Sequence, residues 1–385
     1  MRKAAVVGTG MTKFGEMWDQ SLRDLALEAS LAAVNDAAVQ ARDLEAVYVG
    51  NMSGGGFTSQ EHVGALLADR LGLQVPAVRL EAACASGSVA FRNAYLAVAS
   101  GRYDLVLVNG VEKMTDIETD EASSVLMSAG DDEWESSIGL TFAGQYALLA
   151  RAHMNKFGTT REQLAAVSVM NHKNAVGNKH AQFPFPVTLD AVMHAPLVAD
   201  PLRLLDCSPI TDGSAAVIIA SENIAKRFAS PVWILASEQG ADTIALHDRA
   251  SLTEMQSAKV AGKRAFGTAG LAQKDIDVAE LHDCFSINEI MNLEDLGFCE
   301  KGRGGVFVEQ GHVGLDGDLP VNTAGGLKAI GHPVGATGVR QIADLVRQLR
   351  GKAANQVKGA KTGLALNIGG AGATAVVNIL SAEQG

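Results

Sequence analysis

The chain has 385 residues, 47% of them hydrophobic, with a formal net charge of −11. That length supports one large or two medium globular domains, and the acidic balance argues against nucleic acid as a partner. The four cysteines (Cys84, Cys207, Cys284, Cys299) include no CxxC pair, which argues against a metal site or a disulfide framework, and no apolar run is long enough to cross a bilayer. The N-terminal run Ala4 to Val7 is too short for a signal peptide, and Glu383-Gln384-Gly385 is no peroxisomal or ER address. With free thiols suited to a reducing compartment, the expected location is cytoplasmic.

In chain order, the pattern predicts a buried strand over 3–8, a helix over 22–39 with a small-residue face, and a strand over 44–49. The glycine-rich stretch 53–56 lacks the Lys-Ser/Thr ending of a phosphate-binding loop and reads as a turn. An apolar strand over 75–80 runs into Glu81-Ala82-Ala83-Cys84-Ala85-Ser86-Gly87-Ser88 and then a helix to Ser100, which Gly101 stops. That helix carries one charge, Arg92, so most of its surface must be buried, as in a layer between two sheets. A strand over 105–108 completes the half.

Residues 113–204 change texture: acidic turns, one good helix over 142–157, and irregular chain, as expected of a large insertion rather than an independent core. A buried strand returns after Asp212-Gly213. The rest repeats the beginning, with 41–49 paralleling 273–281 and 87–102 paralleling 335–352 in the same order, which points to duplicated halves.

Cys84, between a strand end and a helix start, has the setting in which the helix dipole favours thiolate, and its small neighbours leave room for a substrate. Three further stretches fall where duplication would bring turns towards it: His282-Asp283-Cys284-Phe285; Asn322 to Gly326 running on to Gly331-His332-Pro333-Val334-Gly335-Ala336-Thr337-Gly338; and Asn367-Ile368-Gly369-Gly370-Ala371-Gly372. A histidine beside a cysteine can activate it, and glycine N–H groups beside the sulfur can hold an oxyanion. Each stretch has a purely structural reading, a core thiol or a turn; together they make a catalytic set.

With these motifs the chain resembles the thiolases, in their sterol-carrier-protein-2-type and archaeal-type branch. Val6-Val7-Gly8-Thr9-Gly10-Met11-Thr12-Lys13-Phe14-Gly15 and Asp206-Cys207-Ser208-Pro209-Ile210-Thr211-Asp212-Gly213 add to the resemblance, which covers essentially the whole chain. It implies an α/β fold, the αβαβα five-layer sandwich of two duplicated halves: 1–112 with 205–226 as the first half, 113–204 as a loop domain over CoA, and 227–385 as the second half. It implies Cys84 as the acylated nucleophile, His332 as its activating partner, and His332 with His282 around the acetyl-CoA thioester oxygen. Cys284 becomes the acid/base, and the N–H groups of Cys84 and Gly369 hold the acyl-enzyme oxyanion. Many thiolases carry the acid/base cysteine where this chain has Asn367, and Cys284 takes its place.

The expected reaction is acyl transfer through acyl-Cys84, cleaving a 3-ketoacyl-CoA with CoA or condensing with acetyl-CoA, without metal or organic cofactor. The alternatives are a decarboxylating ketosynthase-like enzyme using Cys-His-His, or a non-catalytic acyl-CoA-binding subunit. Candidate CoA contacts are Lys173 and Lys179; Met114, Met127 and Phe142 are candidates for the acyl pocket. Expected partners are CoA and acyl-CoA, a second copy of the chain in a homodimer or larger oligomer, and a small zinc-ribbon/OB-fold protein. Cys84 is expected to rest as a thiolate and Cys284 as a thiol.

Overall fold

The computed structural model describes residues 2–384. Its strands are β1 (Ala4–Met11), β2 (Ala46–Gly50), β3 (Ala77–Leu80), β4 (Leu105–Glu112), β5 (Leu197–Ala199), β6 (Leu202–Arg203), β7 (Gly213–Ser221), β8 (Val232–Ala241), β9 (Val278–Glu280), β10 (Thr362–Gly369) and β11 (Thr374–Ser381). All but the small β5–β6 hairpin join one sheet in the order β3-β2-β4-β7-β1-β8-β11-β10-β9, extended beyond β9 by a parallel bridge from Ala279 to Val321.

That order reads the same from both ends. β2 lies parallel to β3 and β4, while β4–β7 and β7–β1 are antiparallel. β9 likewise lies parallel to β10 and the Val321 bridge, while β10–β11 and β11–β8 are antiparallel. The two arrays join where Ala5 and Val6 of β1 pair with Trp233 and Val232 of β8. The duplication expected from two faint sequence matches is thus present as strand topology.

Strand alternation builds the layers. On β7, Ala215, Val217 and Ile219 join a central core, whereas Ala216, Ile218 and Ala220 join the outer core beneath the helix Leu22–Ala37. On β10, Ala365 faces the central core, and Leu364, Leu366 and Ile368 face a third core beneath the helix Gln256–Ala269. The central core is filled by two antecedents of the site, the helices Ser86–Ala99 and Thr337–Leu349. Their backbones touch where they begin: a Cβ on Gly87 would lie 2.6 Å from the Gly335 oxygen, and one on Gly338 would lie 2.3 Å from the Ser88 nitrogen. Only glycine permits that approach.

The chain between β4 and β7 does not form a core of its own. Leu149, Leu164 and Val167, on the helices Phe142–Phe157 and Arg161–Ala175, share a cluster with Ile287, Ile290 and Leu327 of the second half. The stretch read as a turn at 53–56 is instead a one-turn helix, Gly54–Thr58. The buried carboxylate of Glu112 accepts from the nitrogens of Met52 and Ser53, and Asn51 Oδ1 caps Gly54 N, so long-range partners order a segment without periodicity.

Candidate active site

Cys84 sits on a tied turn. Ala83, just before it, adopts φ +52°, a left-handed conformation that costs an L residue about 1 kcal/mol. Ser86 holds it there: the Ala82 nitrogen donates to Ser86 Oγ at 2.9 Å, and Ser86 Oγ donates to the Ala83 carbonyl at 2.6 Å. The helix begins just after, with Ala85 at its cap, so Cys84 stands outside the first turn rather than within it.

His282 leaves the end of β9, its carbonyl fixed by Asn288 and Asn292 of the following helix (Ser286–Asp295) at 2.7 and 3.1 Å. The Asn322–Gly326 stretch works one layer back: Asn322 Oδ1 accepts from Leu281 N. His332 is set by Thr211 Oγ1, which accepts from its backbone nitrogen, and by Thr337, whose Oγ1 is 2.7 Å from His332 Nδ1. Thr337 Oγ1 also donates to the Pro333 carbonyl at 3.2 Å. The proton placement that satisfies both contacts makes His332 Nδ1 the donor to Thr337, leaving Nε2 as a bare acceptor. Asn367 Nδ2 reaches the Cys84 carbonyl at 3.0 Å and His282 Nδ1 at 3.1 Å.

These turns converge on a cavity of about 90 Å³ lined by Cys84, Cys284, His332, Tyr146, Phe142 and Met114, with Gly370 among the remaining walls. Cys84 Sγ and ring nitrogens of His282 and His332 lie within 4.8 Å of one another. Gly370 N–H bonds the Cys84 sulfur, while Gly369, one residue earlier, borders a neighbouring cavity with Ala82 and Ala83. Tyr146 hydroxyl donates to the Gly370 carbonyl at 3.0 Å and hydrogen-bonds Cys284, with its ring stacked on Phe285 at 4.6 Å.

Burial sets the protonation states. The Cys84 thiol is pushed up to about 12, mainly by desolvation, with Gly370 N–H opposing and the Glu112 charge adding. His332 is pushed down to about 3 by burial and then by Arg340. His282 is driven well below its ordinary value by burial, His332 and Arg340. Cys84 and His332 therefore rest as a neutral thiol–imidazole pair, correcting the expected resting thiolate: desolvation outweighs a helix dipole whose first turn begins beyond the sulfur. Burial likewise holds Cys284 well above its ordinary value, as a thiol.

Of the acyl-pocket candidates, Met114 and Phe142 reach the cavity, whereas Leu126 lines it in place of the adjacent Met127. Lys173 and Lys179 do not line it: both are exposed, and Lys179 borders a separate polar cavity of about 370 Å³ with Arg347 and Lys352. Sequence reasoning passed over Tyr146, although its position one turn after Phe142 on the same helix puts both on one face.

Comparisons with known proteins place the chain in a family. Residues 4–223 match the family model for the thiolase N-terminal domain, and residues 238–382 match the thiolase C-terminal domain-like model. The chain is 54% identical to an acetyl-CoA acetyltransferase of Methanothermobacter thermautotrophicus, over 99% of this chain and all of that one. It is 35% identical to human sterol carrier protein 2, over 98% of this chain and 71% of that protein. Among solved structures it superposes on a chain of the Ltp2-ChsH2(DUF35) aldolase with TM-score 0.86 at 27% identity, covering 98% of this chain and 97% of that one. Human mitochondrial 3-ketoacyl-CoA thiolase shares the fold, with TM-score 0.75 at 21% identity over 99% and 98% of the two chains. By its two halves and its full-length relatives, the chain belongs to the thiolase family.

Proposed function

We propose that the protein is an acyltransferase that cleaves a 3-ketoacyl-CoA with CoA, or runs the reverse Claisen condensation with acetyl-CoA, through an acyl-Cys84 thioester. The observation that carries this is the pairing, in one buried cavity, of a cysteine within reach of a bare imidazole nitrogen and a second cysteine held as a thiol. In cleavage, His332 Nε2 takes the Cys84 proton as sulfur attacks the 3-keto carbon. The N–H groups at Cys84 and the Gly369–Gly370 turn hold the resulting oxyanion. When the C2–C3 bond breaks, the acetyl-CoA enolate keeps the electron pair and takes the proton of Cys284, while His282 faces its thioester oxygen. CoA thiol then attacks the acyl-Cys84 carbonyl and gives its proton to the Cys284 thiolate. Cys84 leaves as thiolate and recovers its proton from His332, which restores both cysteines.

Met114, Leu126 and Phe142 line the acyl end with apolar surface, consistent with a short acyl group. A decarboxylating ketosynthase would have no use for Cys284, so Cys284→Ala separates the readings: thiolysis should fall steeply, while malonyl-thioester decarboxylation would survive. Cys84→Ala should abolish both turnover and acyl labelling; full-stoichiometry labelling of that variant would refute the mechanism.

Two assembly features belong to the same proposal. β3 is an edge strand with Val78 46% exposed, which suits pairing with a second copy in a homodimer. The structural neighbour that contains a DUF35 component supports a small partner subunit here as well. Sedimentation and co-purification test them; an active lone monomer would refute the dimer. No helix among the described residues is long and apolar enough to cross a membrane.

A further inference from the structure

The Nε2 atoms of His282 and His332 are both buried and have no protein partner, and both rings stand beside Cys84. By spacing alone, Cys84, His282 and His332 would suit a soft divalent cation. Metal ligation needs a lone pair on every ligand atom, whereas an enolate oxygen needs a donor. The hydrogen bonds behind the rings decide which is available.

Asn367 Nδ2 lies 3.0 Å from the Cys84 carbonyl oxygen, which can only accept. Turning the amide over would set two acceptor oxygens against each other, so its NH₂ must face that carbonyl. The same nitrogen lies 3.1 Å from His282 Nδ1, which must then offer a lone pair and leave the proton of the neutral ring on Nε2. Behind His332 the arrangement is opposite, because Thr337 takes the Nδ1 proton. Asn367 is itself held by the ladder, where it pairs with Val376 of β11.

We propose that Asn367 is a positioning residue that fixes His282 as the Nε2–H tautomer, making it the hydrogen-bond donor to the enolate oxygen and withholding from the Cys84–His282–His332 set the third lone pair a soft metal needs. This gives a function to the side chain that stands where many relatives are expected to carry cysteine. It rests on the acyl-transfer reading. It concerns the step that breaks or forms the carbon–carbon bond rather than exchange of an acetyl group between CoA and Cys84, whose oxyanion is held by backbone N–H groups.

The test compares Asn367→Asp, which offers His282 Nδ1 an acceptor, with Asn367→Leu, which removes the donor to the Cys84 carbonyl without supplying one. In Asn367→Asp, labelling of Cys84 by acetyl-CoA should persist while carbon–carbon cleavage falls about 10²–10³-fold, the usual loss for one oxyanion donor. Inhibition by added Zn²⁺ should tighten about tenfold or more relative to wild type and to Asn367→Leu. The proposal is overturned if the two variants behave alike towards Zn²⁺, or if labelling and cleavage fall together. A second measurement needs no Asn367 variant. In histidine-labelled wild-type protein, the ¹⁵N signals of His282, identified by their loss in His282→Gln, should show a protonated Nε2 and a bare Nδ1. A protonated Nδ1 would also overturn it. Failure of the acyl-transfer reading is distinguishable, since wild-type protein would then take no acetyl label at Cys84.

Discussion

His282 and His332 meet edge to face, with ring centroids 5.1 Å apart and planes at 83°, and each turns a different polar neighbour to its Nδ1 atom. Under the proposed mechanism, two copies of one residue type take opposite roles, His332 as proton acceptor and His282 as donor. Both rings stay neutral because burial disfavours the imidazolium form.

Thr337→Val keeps the volume at the helix start but removes the acceptor for His332 Nδ1–H. The ring is then free to place its proton on Nε2, which disables the base. Turnover should fall about a hundredfold, within the usual range for general base catalysis, with little change in KM. Acetyl labelling of Cys84 should slow in proportion; unchanged pre-steady-state labelling would show that Thr337 does not set the tautomer.

Tyr146→Phe removes the hydroxyl shared between the Gly370 carbonyl and Cys284. By turning its one proton from the Gly370 carbonyl to sulfur, that hydroxyl can stabilise the Cys284 thiolate formed when the enolate is protonated, so the variant should lose turnover about tenfold. Cys284 should also become harder to alkylate, and Cys84 should still be modified first by iodoacetamide because His332 can take its proton. Faster alkylation of Cys284 than of Cys84 in wild-type protein would reverse the two roles.

Glu112, at the end of β4, ties two loops together. One oxygen accepts from Asn51 Nδ2 and Ser53 N, and the other from Met52 N and Gly335 N. Glu112→Gln puts an NH₂ against donors it cannot accept from, leaving buried N–H groups unpaired. A loss of about 1–3 kcal/mol is expected by urea unfolding, with reduced turnover because Gly335 lies in the His332 loop. A variant as stable as wild type would contradict this role.

Each buried, neutral histidine should contribute stability that is lost on acidification. The folded-state values of His332 and His172, about 3 and about 4, lie below the unfolded histidine value of about 6.5, and His282 lies well below it too. Between those values and pH 6.5 the unfolded chain binds more protons, so the contribution is fully present above 6.5 and is lost as pH falls. Each ring adds a slope of up to about 1.4 kcal/mol per pH unit. Burial raises Glu112 to about 7 and Glu280 and Glu289 to about 8, and these carboxyls act in the opposite sense, so the contribution of one ring is read by difference: between pH 7 and pH 5, His332→Gln should lose less stability than wild type by about one such increment in urea unfolding. The same pH dependence in wild type and His332→Gln would contradict a neutral, buried His332.

Local pattern in the sequence was enough to place the turn that carries Cys84, the His282–Cys284 and Gly331–Gly338 motifs, the helix Phe142–Phe157 and the duplicated order of elements. Turn residues, helix starts and alternation act over a few neighbours, and those can be read directly along the chain. Tertiary structure alone decided three things. The thiolate expected at Cys84 gives way to a neutral pair because burial is a property of the whole fold. Tyr146 enters the site because an insertion in the first half packs on the second. Asn367, 283 positions from Cys84 in sequence, meets its carbonyl only when the two halves close around their central helices. The tautomer of His282 depends on the same Asn367, 85 positions away, which no local pattern encodes, whereas His332 meets Thr337 within its own motif.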